Sequence, residues 1–367
     1  MAKIVATMAT TTMFLETFIA DDSESVNDGT LESSDAAGRI LKEPRHKGSP
    51  QQLRWVVGNR ARSSDADRPQ QASVSYRTRT MRIKNNSTAE PRLPAAPRSI
   101  QKGSSLSDLL DREAIECLAH NISLVHADFD VESFQRTAME GLKPLSILQR
   151  GHHLARVLRE HLPKRYEDAI DVLIRSLPPP LSRTDEQGLA VFFYLPHVSF
   201  VAAYGLDADV NGGRDPFETS MQAQYELTRR FSAEFSMRPF LIRWPERTLA
   251  RLMEWTRDPD PHVRRLCSEG SRPRLPWAMR IPGFIKDPRP VLPILEALKD
   301  DSDLYVRRSV ANHVGDIAKD HPELAFEICE RWVAGASDER KWLIRHAVRH
   351  PAKKGVKAAL RLRKLAA

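Results

Sequence analysis

The sequence predicts an all-α fold in which residues 104–367 form a superhelix of HEAT-like repeats (an α-solenoid) with a concave face. One short pattern recurs four times: two basic residues, three mostly small or apolar positions, and then a polar residue. The copies begin at Arg229, Arg264, Arg307 and Arg340, at steps of 35, 43 and 33 residues. Steps of this length are typical of helical hairpins of the HEAT or armadillo kind, in which each unit packs on its neighbour.

Residues 1–103 are predicted to be a disordered, low-complexity tail. They are rich in Ser, Arg, Pro and Gln, and their apolar residues follow neither a helical nor a strand period. A segment of this composition cannot bury enough apolar area to offset its chain entropy. We interpret it either as a basic arm that contacts a polyanion or as a segment without function, including a start codon assigned too early.

The next hundred residues predict helices. Ser105 has the character of a helix cap, and amphipathic stretches follow at 142–162 and 166–177. The run 189–204 is strongly apolar and predicts a buried central helix that is kinked or split at Pro196, although this run alone leaves a buried strand open.

From residue 216 onward, short helices are predicted between loops rich in Asp and Pro. The loops 258–261 and 300–303 have the composition of helix N-caps and lie directly before two copies of the repeated pattern. No stretch in this region alternates in polarity as a half-buried strand would.

The charge of the chain is distributed unevenly. Of the net +8, residues 1–103 account for 16 Lys and Arg against 11 Asp and Glu, and residues 340–364 hold ten basic residues and no acid. The intervening body is therefore mildly acidic. This distribution is compatible with phosphate contacts at one end of a groove and carboxylates further along it.

Several classes of protein lack support. The three cysteines form no CxxC pair, and no P-loop, GxGxxG or GxSxG motif occurs, so we expect neither a metal nor a cofactor. No apolar run approaches the length of a membrane span, and the N-terminus is a poor secretory signal. We expect a monomer in the cytoplasm that does not bind membranes; the acid-free first 15 residues leave an organelle-targeting alternative open.

The polar position of the repeated pattern is the first candidate site. It holds Glu234, Glu269, Asn312 and Arg345, which would line one surface if the repeats stack in register. Asp316 lies four residues after Asn312 and adds a carboxylate to that row. The alternative is that Arg230–Glu234 and Arg265–Glu269 are i,i+4 ion pairs that only solvate a helix face.

Further residues add to this candidate site. After Glu269 the sequence GSRPRLPW ends the helix and places Arg272, Arg274 and Trp277 in a turn. The alternative for Trp277 is packing between repeats. The candidate phosphate ligands are the basic residues in and beside the pattern: Arg264, Arg265, Arg272, Arg274, Arg307, Arg345, His346 and Lys353.

Four segments carry a resemblance to a known family. FSAEFSMRPFL (231–241), HVRRLCSEGSRPRLPWAMRI (262–281), YVRRSVANHVGDIAKDHPE (305–323) and RKWLIRHAVRH (340–350) are similar to the AlkC-type DNA alkylation repair glycosylases of the HEAT-like-repeat superfamily. The resemblance covers about residues 106–355. Some members add a C-terminal immunoglobulin-like domain, which we expect this chain to lack.

The resemblance implies monofunctional excision of cationic alkylated bases, such as 3-methyladenine and also 3-methylcytosine, from double-stranded DNA without full base flipping. By motif match it implies Glu234, Glu269, Asp316 and Trp277 as active-site residues, with Arg265 in support. The chemistry agrees, because carboxylates stabilise the positive charge that builds on the sugar and one of them can position water. The main rival hypothesis is a HEAT-like scaffold that binds nucleic acid or protein and catalyses nothing. A second rival is a hydrolase of some other polyanion, such as RNA.

Overall fold

A computed structural model describes residues 90–184 and 188–367, and over these ranges the chain is helical with no strand. The α-helices are α1 (Arg112–Ser123), α2 (Val131–Met139), α3 (Ile147–His161), α4 (Tyr166–Arg175), α5 (Leu195–Tyr204), α6 (Phe217–Thr228), α7 (Glu234–Arg243), α8 (Pro245–Trp255), α9 (Pro261–Glu269), α10 (Pro282–Lys286), α11 (Leu292–Leu298), α12 (Leu304–Asp320), α13 (Pro322–Val333), α14 (Asp338–Ala347), α15 (Arg349–Lys353) and α16 (Lys357–Leu365). Short 3-10 helices lie at Leu106–Leu110, Gly188–Tyr194, Asp209–Asn211 and Arg289–Val291. None of the described helices combines the length and the apolar character needed to cross a membrane.

Hydrogen bonds to the helical domain begin at Arg92, earlier in the chain than the sequence predicts. The backbone N–H of Arg92 donates to Oδ1 of Asn121 at 2.9 Å, and Nδ2 of Asn121 donates back to the Arg92 carbonyl at 2.9 Å. The N–H of Ala95 donates to Glu113 at 2.9 Å. These bonds hold the non-helical segment 90–103 at Arg92 and Ala95, and Leu93, Ala96 and Ile100 pack against the core. The backbone bonds leave no signal in the hydropathy of the sequence. The predicted disorder of residues 1–89 lies outside the described residues.

The apolar run before residue 205 divides as predicted. A 3-10 helix ends at Tyr194, and α5 follows with Pro196 in its first turn, where the missing N–H of proline costs no helical hydrogen bond. Val198 and Phe200 are buried, and α5 packs against α3 and α7. The run is therefore a buried helix and not a strand.

Aspartates start the helices of the repeat region. Oδ1 of Asp260 accepts from the N–H of His262 at 2.9 Å, directly before α9. Oδ1 of Asp303 accepts from the N–H of Tyr305 at 2.8 Å, at the start of α12. The first N–H groups of a helix have no partner inside it, so a side-chain acceptor stabilises such a start by about 1 kcal/mol.

The repeated pattern lies within helices in three of its four copies. Those beginning at Arg264, Arg307 and Arg340 fall in α9, α12 and α14, which pack in the order α9 on α12 and α12 on α14. Leu266, Val310 and Leu343, one from each helix, are fully buried in one continuous apolar core. Stacked repeats therefore position the candidate residues that these helices carry.

The first copy of the pattern corrects one prediction. Arg230 and Glu234 do not share a helix face, because α6 ends at Thr228 and α7 begins at Glu234. The Ser232 hydroxyl accepts from the N–H of Glu234 at 3.4 Å, a local bond that competes with helix formation. Arg230 instead pairs with Glu226 at 2.9 Å.

Candidate active site

Five charged side chains of alternating sign form one connected group, the arginine–carboxylate cluster. Its members, in order of contact, are Glu234, Arg265, Glu269, Arg272 and Asp316. Every one of these side chains is at most 13% exposed. The cluster brings together the first residue of α7, the last residue of α9 and a residue of α12.

Arg265 joins the first two carboxylates across a repeat boundary. Its Nη1 donates to Oε2 of Glu234 at 3.1 Å, and its Nη2 lies 3.5 Å from Oε1 of Glu269. Ser232 donates to the same Oε2 of Glu234 at 2.6 Å. The guanidinium also lies over the ring of Tyr305, 4.7 Å from its centroid. The predicted Arg265–Glu269 ion pair is thus one link of a longer chain.

Glu269 has both oxygens occupied. Oε1 accepts from Nη1 of Arg272 at 2.7 Å, and Oε2 accepts from the Ser309 hydroxyl at 2.5 Å. Burial by itself raises the pKa of Glu269, but the charges of Arg272 and Arg265 and the Ser309 hydrogen bond outweigh it and hold the pKa below its ordinary value. Glu269 is therefore a buried carboxylate that stays ionised.

Asp316 is held from two sides and is 2% exposed. Its Oδ2 accepts from Nε of Arg272 at 2.8 Å, and its Oδ1 accepts from Nζ of Lys319 at 3.0 Å. The Lys319 side chain is 55% exposed, so the partner of Oδ1 extends into solvent while the partner of Oδ2 is buried. Among the described residues, no group of three or more His, Cys, Asp and Glu is arranged to hold a metal ion.

Arg238 on α7 holds the loop that carries Arg272 and Trp277. The side chain is fully buried, and its guanidinium donates to the carbonyls of Gly270 at 3.3 Å, Arg272 at 2.8 Å and Met279. Burial lowers its pKa to about 10, although the nearby Glu234 carboxylate opposes that shift. Arg238 was not among the predicted site residues, although an arginine within the largely apolar FSMRPFL was a signal for it.

Trp277 has an unusual backbone. Its φ of 61° is the one positive value at a non-glycine residue among the described residues. A bulky residue in this region costs about 1–3 kcal/mol and persists only where its surroundings enforce it. The N–H of Ala278 donates to the Leu275 carbonyl at 3.4 Å, and that of Ile281 to the Pro273 carbonyl at 3.1 Å. The indole is partly buried against the core, as the packing alternative predicted, while the strain motivates a functional hypothesis.

Most of the predicted phosphate ligands have partners inside this chain. Nε of Arg264 donates to Asp301 at 2.6 Å, and Nε of Arg274 to Asp320 at 2.6 Å; each guanidinium binds both carboxylate oxygens of its partner. Arg307 donates to the Asp301 carbonyl at 2.5 Å. Arg264 and Arg274 therefore join one repeat to the next, whereas Arg307 binds the loop before its own helix.

The predicted polar row continues only in part beyond Glu269. Arg345 donates to the Ala366 carbonyl near the C-terminal end of the chain. Oδ1 of Asn312 accepts from Nε2 of His346 at 3.1 Å and from Arg349 at 3.0 Å. Burial and the neighbouring Arg349 lower the pKa of His346 to about 3, so the ring is neutral.

Lys353 differs from the other predicted phosphate ligands. Its side chain is exposed and has no hydrogen-bond or ion-pair partner among the described residues. The same holds for Lys354 and Lys357, which follow it near the C-terminal end. This end of the chain therefore presents uncommitted positive charge.

The fold and the site define an α-helical repeat protein whose successive helices contribute acids to one arginine-braced cluster. The structure of Pseudomonas fluorescens alkylpurine DNA glycosylase AlkC, bound to DNA containing an abasic site analog, is 37% identical with a TM-score of 0.62, and the match covers 71% of this chain and 67% of that one. YhaZ of Bacillus subtilis (strain 168), which is described as uncharacterized, is 38% identical over 258 residues, 70% of this chain and 67% of YhaZ. No family model matches the sequence. The chain belongs to the AlkC family of alkylpurine DNA glycosylases.

Proposed function

We propose that this chain is a monofunctional DNA glycosylase that hydrolyses the N-glycosidic bond of cationic N3-alkylated bases in double-stranded DNA. Its substrates are 3-methyladenine and 3-methylcytosine, and the base is not swung fully out of the helix. The observation that carries the proposal is the arginine–carboxylate cluster, in which three acids meet two guanidiniums at low exposure. The similar AlkC, which was solved with abasic-site DNA, supports DNA as the partner.

The charge of the substrate explains the composition of the cluster. An N3-alkylated adenine already carries positive charge, so it leaves as a neutral base and needs little help from a general acid. Positive charge develops instead on the deoxyribose as the bond breaks. Carboxylates that are fixed before the reaction stabilise this charge without reorganising, and low exposure strengthens the effect.

The hydrogen bonds suggest separate roles for the three acids. Both oxygens of Glu269 are bonded to other side chains, which suits an electrostatic role. Asp316 binds a solvent-exposed amine through Oδ1, so this oxygen is the best placed to orient or deprotonate a water. The hydrogen bonds from Ser232 and Arg265 to the Glu234 carboxylate both go to Oε2, and this acid adds stabilisation near the lesion. Trp277 places its ring against the sugar, where a cation gains from the ring quadrupole.

The phosphate contacts are assigned differently from the sequence prediction. Arg264 and Arg274 hold carboxylates of this chain in two-pronged pairs and brace the repeats. Lys353 and the exposed cations beside it contact the DNA backbone. Such contacts position the duplex and carry no sequence information, and the selectivity comes from the charge and weak bond of the lesion.

The test is base release from N-methylated duplex DNA, with the products identified by chromatography. The parent protein should release 3-methyladenine, and Glu269→Gln and Asp316→Asn should slow release strongly while keeping DNA binding. If both variants release the base as fast as the parent, the catalytic assignment is wrong. If the parent binds DNA but releases nothing, the non-catalytic scaffold is the better interpretation.

A further inference from the structure

Met279 is a solvent-exposed apolar residue on the loop that also carries Arg272 of the arginine–carboxylate cluster. It is 53% exposed, in a part of the chain where most large apolar residues are buried. Its carbonyl accepts from Nε of Arg238, and the same guanidinium donates to the Arg272 carbonyl at 2.8 Å. Because the side chain of Arg272 binds Glu269 and Asp316, the backbone of Met279 is fixed relative to both acids.

The surroundings of Met279 make its exposure informative. A single exposed apolar residue is ordinary. However, Ile242 is 47% exposed and lies one turn after Arg238 on α7, so it occupies the helix face that fronts this loop. Arg243 and Arg280 are also exposed and form no ion pair with any described residue. Each exposed apolar residue is thus followed directly in sequence by an exposed arginine, and the guanidinium of Arg243 lies over the Trp244 ring, 5.7 Å from its centroid.

The loop after α9, which carries Met279, is held in place by hydrogen bonds and prolines. Two internal backbone hydrogen bonds close it, at 3.1 and 3.4 Å, and Pro273 and Pro276 restrict its backbone further. The buried guanidinium of Arg238 donates to the carbonyls of Gly270, Arg272 and Pro273 in this loop. An exposed methionine adds little to the stability of the fold. That its loop is nevertheless held by so many contacts indicates a role for the side chain at the surface.

We propose that Met279 is a wedge that enters the base stack of double-stranded DNA next to the damaged pair. This inference rests on the proposed function. Apolar side chains, methionine among them, are used in this way to unstack base steps and kink the duplex. The long, unbranched thioether adapts to an irregular gap between bases. Arg243 and Arg280 would bind the flanking phosphates, and Ile242 would follow Met279 into the groove.

The wedge supplies a step that the proposed chemistry needs. If the damaged base is not swung fully out, the acids must reach the sugar of a nucleotide that is still partly stacked. Unstacking one neighbouring step costs a few kcal/mol and opens the duplex on the side of the wedge. A residue fixed relative to Glu269 and Asp316 would perform this opening at the correct distance from them.

The experiment uses a duplex with a tetrahydrofuran abasic analogue beside 2-aminopurine, whose fluorescence rises on unstacking. The proteins compared are the parent, Met279→Ala, Met279→Leu and, as a matched control, Leu360→Ala, since Leu360 is 49% exposed on α16. The parent and Met279→Leu should raise the fluorescence. Met279→Ala should lose most of this rise and should excise 3-methyladenine from duplex DNA about tenfold more slowly. Leu360→Ala should behave as the parent.

The outcomes separate the wedge from the proposed function. If Met279→Ala matches the parent in both fluorescence and excision, or if Leu360→Ala shows the same losses, the wedge is wrong while excision by the parent stands. If the parent excises nothing but its fluorescence rise depends on Met279, the proposed function is wrong and the wedge stands. Should Met279→Ala unfold more easily than the parent, Met279→Gln, which keeps the length but not the apolar character, replaces it.

Discussion

The Nε–H of Arg272 donates a hydrogen bond to Oδ2 of Asp316, 44 residues later in the sequence, at 2.8 Å. The Nη1 group of the same arginine donates to Oε1 of Glu269 at 2.7 Å. One guanidinium therefore holds an acid from the end of α9 and an acid from the middle of α12. Without this shared partner the two negative charges would repel each other. The planar fork of arginine presents separate N–H donors to both acids in a fixed geometry, which the flexible point charge of a lysine does not provide.

Replacing this arginine should damage both stability and activity. Arg272→Met leaves two buried carboxylates without their shared partner, so the free energy of unfolding should fall by about 3–5 kcal/mol. Arg272→Lys, which keeps the positive charge, should lose less of the free energy of unfolding than Arg272→Met but should remain less stable than the parent. Urea unfolding checks this, with Arg289→Met as control, because Arg289 pairs with Asp287 at the surface with a side chain that is 76% exposed. Equal stability of the two methionine variants would contradict the bracing role.

Asp316 and Asp320 provide a matched pair on one helix. They lie one turn apart on α12, and each is bonded to an arginine of the loop after α9. Asp316→Asn should lower the single-turnover rate of base release about 100-fold or more, because it removes a charge that the transition state needs. Asp320→Asn should change the rate little. A comparable loss in both variants would indicate a general effect of breaking arginine pairs.

Stability should fall as the pH is lowered from neutrality. Burial lowers the pKa of His197 and of His346 to about 3, and that of His313 to about 4, against an ordinary 6.5. Below pH 6.5 these histidines bind protons in the unfolded chain but stay neutral in the folded chain. Each of them therefore lowers the free energy of unfolding by up to roughly 1.4 kcal/mol per pH unit. Glu269 acts in the same direction: its pKa is lowered from 4.5, so its contribution is present above pH 4.5 and is lost below it.

Urea unfolding at several pH values between 7.5 and 4 measures this slope. His346→Gln should make it shallower, because one of the buried neutral rings is then absent. His152→Gln, at an exposed position, should leave the slope unchanged. A free energy of unfolding that stays constant from pH 7 to pH 5 would show that these rings take up protons without unfolding.

The C-terminal lysines should govern the salt dependence of DNA binding. Replacing Lys353, Lys354 and Lys357 by Ala should weaken binding to damaged and undamaged duplexes alike, and reduce the slope of log K against log salt by up to about three. Binding titrations from low to moderate salt check this. Lys299→Ala is the control, since Lys299 pairs with Glu296 at 2.7 Å. A loss confined to damaged DNA would place these lysines at the lesion.

Local chemistry determined a large part of the fold. The spacing of the basic pattern predicted the repeats, Asp260 and Asp303 predicted helix starts, and Pro196 predicted the division of the apolar run. These features depend on residues near in sequence, through caps, periodicity and the missing N–H of proline. The resemblance to AlkC-type glycosylases also came from the sequence and is confirmed by the similar solved structure.

Partners distant in sequence were decided by the tertiary structure. The sequence identified Arg264 and Arg274 as cations but not the aspartates that bind them, and it placed Arg230, not Arg265, beside Glu234. It gave no sign that Ser309 donates to Glu269 or that Arg238 holds the loop. A pattern fixes which charges a chain carries, whereas only the packing of α9 on α12 fixes which of them meet. In a buried site the identity of that partner decides whether an arginine binds phosphate or braces an acid.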